Sequence, residues 1–203
     1  MFDNSIRPKI DPILIRLARH IADAGISANG VTLIGFALGC VAGVLIVFEA
    51  YWSALAFLLV SRLCDGLDGA VARLTHKSDF GGYLDIVLDF AFYGLIPTAF
   101  IIANPAANAV AGGVLLLTFY VNGASFLAYS VMAEKRGVDE SDRGSKSLLY
   151  TIGLAEATET IIVFVLFCLL PAWFSLIAWV FAAVVAWTTL SRFMLARQTF
   201  GRD

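Results

Sequence analysis

Polar chemistry is scarce in this chain: 15% of its 203 residues are charged, two are histidine and three are cysteine. Each scarcity removes a class of function. His20 and His76 stand alone, with no second histidine at ligand spacing, so neither marks a metal site or an imidazole catalyst. Cys40, Cys64 and Cys168 lie in apolar stretches without a C-x-x-C pair, which argues against zinc or disulfide chemistry and for small buried hydrophobes. A net charge of −2 gives nucleic-acid binding no support. Internal repeats, low-complexity tails and a second domain are missing too. So is a cleavable signal peptide: the first thirty residues are charged and end in Ile26-Ser27-Ala28-Asn29-Gly30, so the N-terminus is expected to be mature sequence.

What remains is apolar. Hydrophobic residues make up 60% of the chain and its mean hydropathy is +0.83, more than a soluble domain of this size keeps off its surface. Six stretches, 31–50, 52–74, 80–103, 107–133, 148–170 and 173–195, approach the ~20 helical residues that cross a ~30 Å hydrocarbon core. Basic residues gather on alternate connections: Arg7, Lys9, Arg16 and Arg19; Arg73 and Lys77; Lys135, Arg136, Arg143 and Lys146; Arg192, Arg197 and Arg202. The opposite connections carry none, so both termini and the basic loops are expected on the cytoplasmic side. The fold expected is all-α: an integral membrane six-helix bundle over 31–203, preceded within 1–30 by an amphipathic helix. That helix opens at Asp11-Pro12, stops at Gly25, and sets Ile10, Ile13, Leu14, Leu17 and Ile21 on one face. It lies on the cytoplasmic leaflet, packs under the bundle, or does both.

Against this background four aspartates stand out, in D-G-L-D-G-A-V-A-R-L-T-H-K-S-D-F-G-G-Y-L-D-I-V-L-D from Asp65 to Asp89. At ~2.5–3.5 kcal/mol for each charge near a bilayer centre, four would cost about 10 kcal/mol. Metal ions are the best candidates to offset that. Asp65 and Asp68 are three apart, Asp85 and Asp89 four apart, so each pair shares a helix face. A short turn between antiparallel helices lets the pairs meet, and four carboxylates suit two Mg²⁺ or Mn²⁺ ions. Of the small residues nearby, Gly66 is read as close helix packing; Gly69 and Ala72, next to Asp68 and Arg73, as room for a ligand. Arg73 would supply a cation for a ligand phosphate; the alternative is an interfacial anchor at a cytoplasmic helix end.

Asp65, Asp68, Gly69, Ala72, Arg73, Gly81, Asp85 and Asp89 form D-x2-D-G-x2-A-R-x7-G-x3-D-x3-D. This resembles the signature of the CDP-alcohol phosphotransferases (CDP-alcohol phosphatidyltransferases), many of which have eight residues, not seven, between the arginine and the next glycine. Asn29 and Thr32 match an Asn-x-x-Thr that enters the family's first span, and the resemblance covers most of the chain. It implies two divalent metals on Asp65, Asp68, Asp85 and Asp89, with Asp89 as general base. It also implies a CDP site formed by Thr32, Asp65, Gly66, Gly69, Ala72 and Arg73. The reaction implied moves a phosphatidyl group from a CDP-linked donor, CDP-diacylglycerol first, to a small alcohol with release of CMP. The sequence does not separate direct in-line attack from a covalent intermediate; direct attack is favoured because no obvious serine, cysteine or histidine nucleophile lies in the motif. A bacterial inner (cytoplasmic) membrane and a homodimer through spans three and four are implied as well.

Outside the motif, Glu156 and Glu159 in span five are candidates to line the acceptor pocket, with Arg143 and Lys146 at its mouth. The alternative is that they pair with Arg62, the one arginine well inside a span, or hydrogen-bond to Asn122 and Ser125. Two other functions compete. A UbiA-type prenyltransferase also uses two aspartate motifs on magnesium pyrophosphate, but on well-separated segments of about nine spans. A cation transporter uses intramembrane carboxylates but leaves the Gly-x-x-Ala-Arg segment unexplained.

Overall fold

The structure is a computed structural model that describes residues 14–137 and 157–201. A short helix α1 (14–23) precedes α2 (Ala28–Val47), α3 (Tyr51–Leu74), α4 (Asp79–Ala103), α5 (Pro105–Lys135), α6 (Ala157–Leu169), a 3-10 turn (Pro171–Trp173) and α7 (Phe174–Phe200). The described residues contain no strand.

Local chemistry sets the helix ends. Gly25, at φ 76°, takes the left-handed turn that closes α1. Ser27, Ser78 and Asn104 cap the next starts, their side-chain oxygens accepting the N–H groups of Gly30, Gly81 and Ala107 at 3.1–3.2 Å. Pro105 then occupies the first turn of α5, where its missing donor costs nothing. Span one was expected to run to residue 50, but α2 stops at Val47 and Glu49 turns the chain at φ 59°.

Among the described residues four segments are long and apolar enough to cross a membrane: α2, α4, α5, and the 3-10 turn joined to α7. α3 has the length, at 24 residues, but carries Arg62, Asp65, Asp68 and Arg73 from its midpoint on. α6 is apolar over 13 residues, and the earlier part of the expected fifth span, 148–156, lies outside the described residues. This is an all-α, multi-pass membrane fold.

α2 packs against both α3 and α4, α5 packs against α4 and α7, and α3 reaches α6. The α2 contacts are close because its facing positions lack side chains. A Cβ on Gly35 would lie 2.9 Å from Cys64 Cβ, and one on Gly39 2.7 Å from Phe92 Cδ2. The core is aromatic: Phe92, Phe100, Phe164, Phe167 and Phe174 are fully buried, with Phe167 and Phe174 4.5 Å apart between ring centres.

Of the N-terminal helix, Leu14, Ala18 and Ile21 pack against Leu67, Ala70 and Val71 of α3 and Val31 of α2. Ile15 and Leu17 are exposed. The helix is therefore attached to the bundle while keeping an apolar outer side. Ile10, Asp11, Pro12 and Ile13 lie outside the described residues.

Candidate active site

The turn 75–78 between α3 and α4 is four residues long, so the end of one helix stands beside the start of the next. Across that junction Asp65, Asp85 and Asp89 converge, each offering one oxygen, and these atoms lie within 4.8 Å of one another. All three are half-buried. Three carboxylate oxygens at this spacing are a donor set that fits Mg²⁺ or Mn²⁺. The cleft they line also includes Thr32, Gly35, Phe36, Arg62 and Leu88.

Asp68 stands apart from that group. It is 5% exposed, and protein donors take both its oxygens. Thr32 Oγ1 donates to Asp68 Oδ2 at 2.7 Å, and the Gly69 N–H donates to Oδ1 at 2.6 Å. The i, i+3 spacing holds, yet Thr32 of α2 engages Asp68 while Asp65 meets Asp85 and Asp89 of α4.

Arg62 lies one turn before Asp65. Its Nη1 donates to Asp65 Oδ1 at 3.2 Å and to Asp89 Oδ1 at 2.8 Å, and its guanidinium carbon sits 3.7 Å from the centre of the Phe92 ring. The expected alternative of pairing Arg62 with the span-five glutamates misses these partners. Asn122 and Ser125, the other partners considered for those glutamates, bond to Arg192. Arg192 of α7, read from sequence as a cytoplasmic end charge, donates through Nη1 to Asn122 O and Oδ1 and to Ser125 Oγ, at 2.9–3.0 Å.

Small residues frame the site unevenly. Gly81 starts α4 directly against α2: a Cβ there would come 2.8 Å from Asn29 Oδ1. Gly66, expected to serve close packing, is exposed, and a Cβ on it would meet only Leu14 Cδ1 at an ordinary 3.7 Å. Gly69 is as open, its nearest neighbour being Arg73 Nη1 at 3.6 Å. Ala72 is half-buried and Arg73 exposed at the helix end.

Residues 26–190 match the family profile described as CDP-alcohol phosphatidyltransferase. The chain belongs to that family. Over 192 residues it is 47% identical to inner membrane protein YnjF of Escherichia coli (strain K12), covering 95% of this chain and 93% of that protein. It is 32% identical over 161 residues to archaetidylinositol phosphate synthase of Pyrococcus horikoshii, covering 79% and 78% of the two chains. Its fold is similar to Mycobacterium tuberculosis phosphatidylinositol phosphate synthase (PgsA1) with CDP-DAG bound, at TM-score 0.73, 20% identity and coverage of 95% and 98%. The same protein with manganese and citrate aligns at TM-score 0.69 and 20% identity, covering 89% of this chain and 87% of that one.

This CDP-alcohol phosphatidyltransferase is thus a multi-pass membrane enzyme of phospholipid synthesis, which sets aside the prenyltransferase and transporter readings. The structure brings Thr32, Asp65, Asp68, Asp85 and Asp89 to one junction, with Gly66, Gly69, Ala72 and Arg73 on the following turns of α3. Of the acceptor-pocket candidates it describes only Glu159, in the first turn of α6; Arg143, Lys146 and Glu156 lie outside the described residues. Sequence reasoning missed Arg62 and Arg192 as partners in these networks. Arg62 had a usable signal, since it precedes Asp65 by three residues and so shares its helix face.

Proposed function

We propose that the enzyme transfers a phosphatidyl group from CDP-diacylglycerol, or a related CDP-linked lipid, to the hydroxyl of a small alcohol and releases CMP. The observation that carries this reading is the meeting of Asp65, Asp85 and Asp89 beside the Thr32–Asp68 pair. Asp65, Asp85 and Asp89, with Asp68 adjoining, are the residues that would hold divalent metal, Mg²⁺ or Mn²⁺. A bound divalent ion would neutralise the donor pyrophosphate and stabilise departing CMP.

The chain's own groups supply the rest. Asp89 accepts the proton of the acceptor hydroxyl as its oxygen bonds to the phosphorus carrying the diacylglycerol. The bond from that phosphorus to the bridging oxygen breaks, and the electron pair leaves with CMP. Gly66, Gly69 and Ala72 leave the α3 backbone open to the donor, Arg73 faces its phosphates, and Thr32 orients Asp68. Arg143, Lys146, Glu156 and Glu159 are assigned to the acceptor side.

In the described helices Arg16, Arg19, Arg73, Lys135, Arg192 and Arg197 belong to the end of the bundle that holds the carboxylates. That supports a cytoplasmic site with both termini on the same side. A homodimer through α4 and α5 fits their exposure, since most residues of their apolar stretches are not buried.

The test is CMP release by purified protein in detergent with CDP-diacylglycerol, Mg²⁺ or Mn²⁺, and a panel of alcohols. Inositol phosphate comes first because two of the similar proteins are named as inositol phosphate lipid synthases. Metal-dependent CMP release with one acceptor is expected. No release across the panel would sink the proposal. Asp89→Asn should cut turnover by about 10²–10⁴-fold while CDP still binds; retained turnover would remove Asp89 as the base.

A further inference from the structure

Arg62 is built into the active site more firmly than a surface ion pair requires. Its side chain is 8% exposed, it bridges Asp65 and Asp89, and its face rests on Phe92, which is fully buried. Nη2 lies 3.4 Å from Ser61 Oγ, which itself donates to Gly35 O at 2.7 Å. Nε is buried with no hydrogen-bond partner. A guanidinium gives up hydration to sit this way, and a donor is left unsatisfied. The gain is a positive charge held among three carboxylates, with the ring behind it favouring that charge.

The oxygens Arg62 engages belong to Asp65 and Asp89, two of the three carboxylates that would hold a metal. We propose that Arg62 is a resident counter-cation of the carboxylate cluster, competing with divalent metal for Asp65 and Asp89 and so weakening metal binding by the enzyme alone. The inference rests on the metal-site reading above. Three carboxylates without an internal cation would hold a divalent ion tightly whether or not a donor were present. With Arg62 in place, part of their charge is already matched, and the ion must either displace the guanidinium from shared oxygens or sit against its repulsion. Tight metal loading then depends on the extra negative charge that a donor pyrophosphate brings.

A merely structural arginine predicts the opposite sign. If Arg62 only held the aspartates in shape, its loss would loosen the site and weaken metal binding. The experiment is a Mn²⁺ titration of the full-length detergent-solubilised protein, without nucleotide and at mildly alkaline pH, read by electron paramagnetic resonance of free Mn²⁺. Arg62→Gln should bind Mn²⁺ about tenfold more tightly than the wild type, the direction set by removing a nearby positive charge. Arg62→Lys, which keeps that charge, should stay near the wild type. Phe92→Leu removes the ring beneath the guanidinium and should tighten binding several-fold; it carries the test if Arg62→Gln does not fold. Equal or weaker binding in the charge-removed or ring-removed protein overturns the role of Arg62. Asp85→Asn, which Arg62 does not touch, separates the two levels of argument: if it binds Mn²⁺ as the wild type does, the metal site itself is misassigned and this inference falls with it.

Discussion

Gly39→Ala places one methyl group where the bundle has least room. The new Cβ would lie 2.7 Å from Cδ2 and 3.0 Å from Cε2 of Phe92, and 3.2 Å from Ser61 Oγ. The ring cannot easily move aside. It is fully buried, and Tyr93 and Phe164 hold it at centroid distances of 6.2 and 6.0 Å. Two effects oppose each other. Alanine improves helix propensity over glycine by about 1 kcal/mol, while an extra carbon in a packed core costs about 1–3 kcal/mol. The net expectation is a loss of up to ~2 kcal/mol. Gly94→Ala and Gly113→Ala separate the terms, because a Cβ at either position meets nothing within 4 Å. These should keep only the propensity gain, leaving Gly39→Ala about 1–3 kcal/mol below them. The assay is reversible unfolding in mixed micelles of increasing SDS fraction, followed by circular dichroism. If Gly39→Ala unfolds at the same SDS fraction as the two controls, α2 and α4 are not in the close contact described, and the reasoning fails.

Substitutions at three further positions test other contacts, Thr32 and Asn122 in the same assay and Ala18 by proteolysis. Thr32→Val removes the hydroxyl that donates to buried Asp68 and should cost about 1.5–3 kcal/mol, whereas Thr32→Ser should retain most of it; equal stability of Val and Ser would show that Asp68 does not depend on this donor. Asn122→Leu withdraws the Oδ1 atom that lies 2.9 Å from Arg192 Nη1 and 3.3 Å from Thr189 Oγ1, and should cost about 1–3 kcal/mol. No loss there would mean that the Asn122 side chain adds nothing to the α5–α7 contact beyond the bonds of Arg192 to Asn122 O and Ser125 Oγ. Ala18→Asp should detach α1 from Leu67, Ala70 and Val71, seen as faster proteolysis after Arg16 or Arg19, while an unchanged cleavage rate would argue against that docking.

Helix positions were legible because apolar runs here end at strong local signals. The expected 52–74 and 80–103 became Tyr51–Leu74 and Asp79–Ala103, with Ser78 and Asn104 as physical boundaries. Carboxylate spacing also gave a real constraint, since one turn separates Asp85 from Asp89 and the oxygens of both join Asp65. Sequence does not give the direction from which neighbouring helices approach. Asp65 and Asp68 share a broad face of α3 that packs on α2, and there Thr32 receives Asp68 while Asp65 meets the carboxylates of α4. Arg192 was hidden for a similar reason: its place near the C-terminal end read as a cytoplasmic end charge, and its partners Asn122 and Ser125 lie some seventy residues earlier in the chain.

The contact between Gly81 and Asn29 changes what the α3–α4 turn has to do. Because α4 is seated on α2 at Gly81, the depth of Asp85 and Asp89 is referenced to α2, one and two turns further along the same rigid helix. The seven residues separating Arg73 from Gly81 therefore behave as slack rather than as a ruler. Lengthening or shortening that stretch by a residue alters the path between two fixed points, and the carboxylates keep their place.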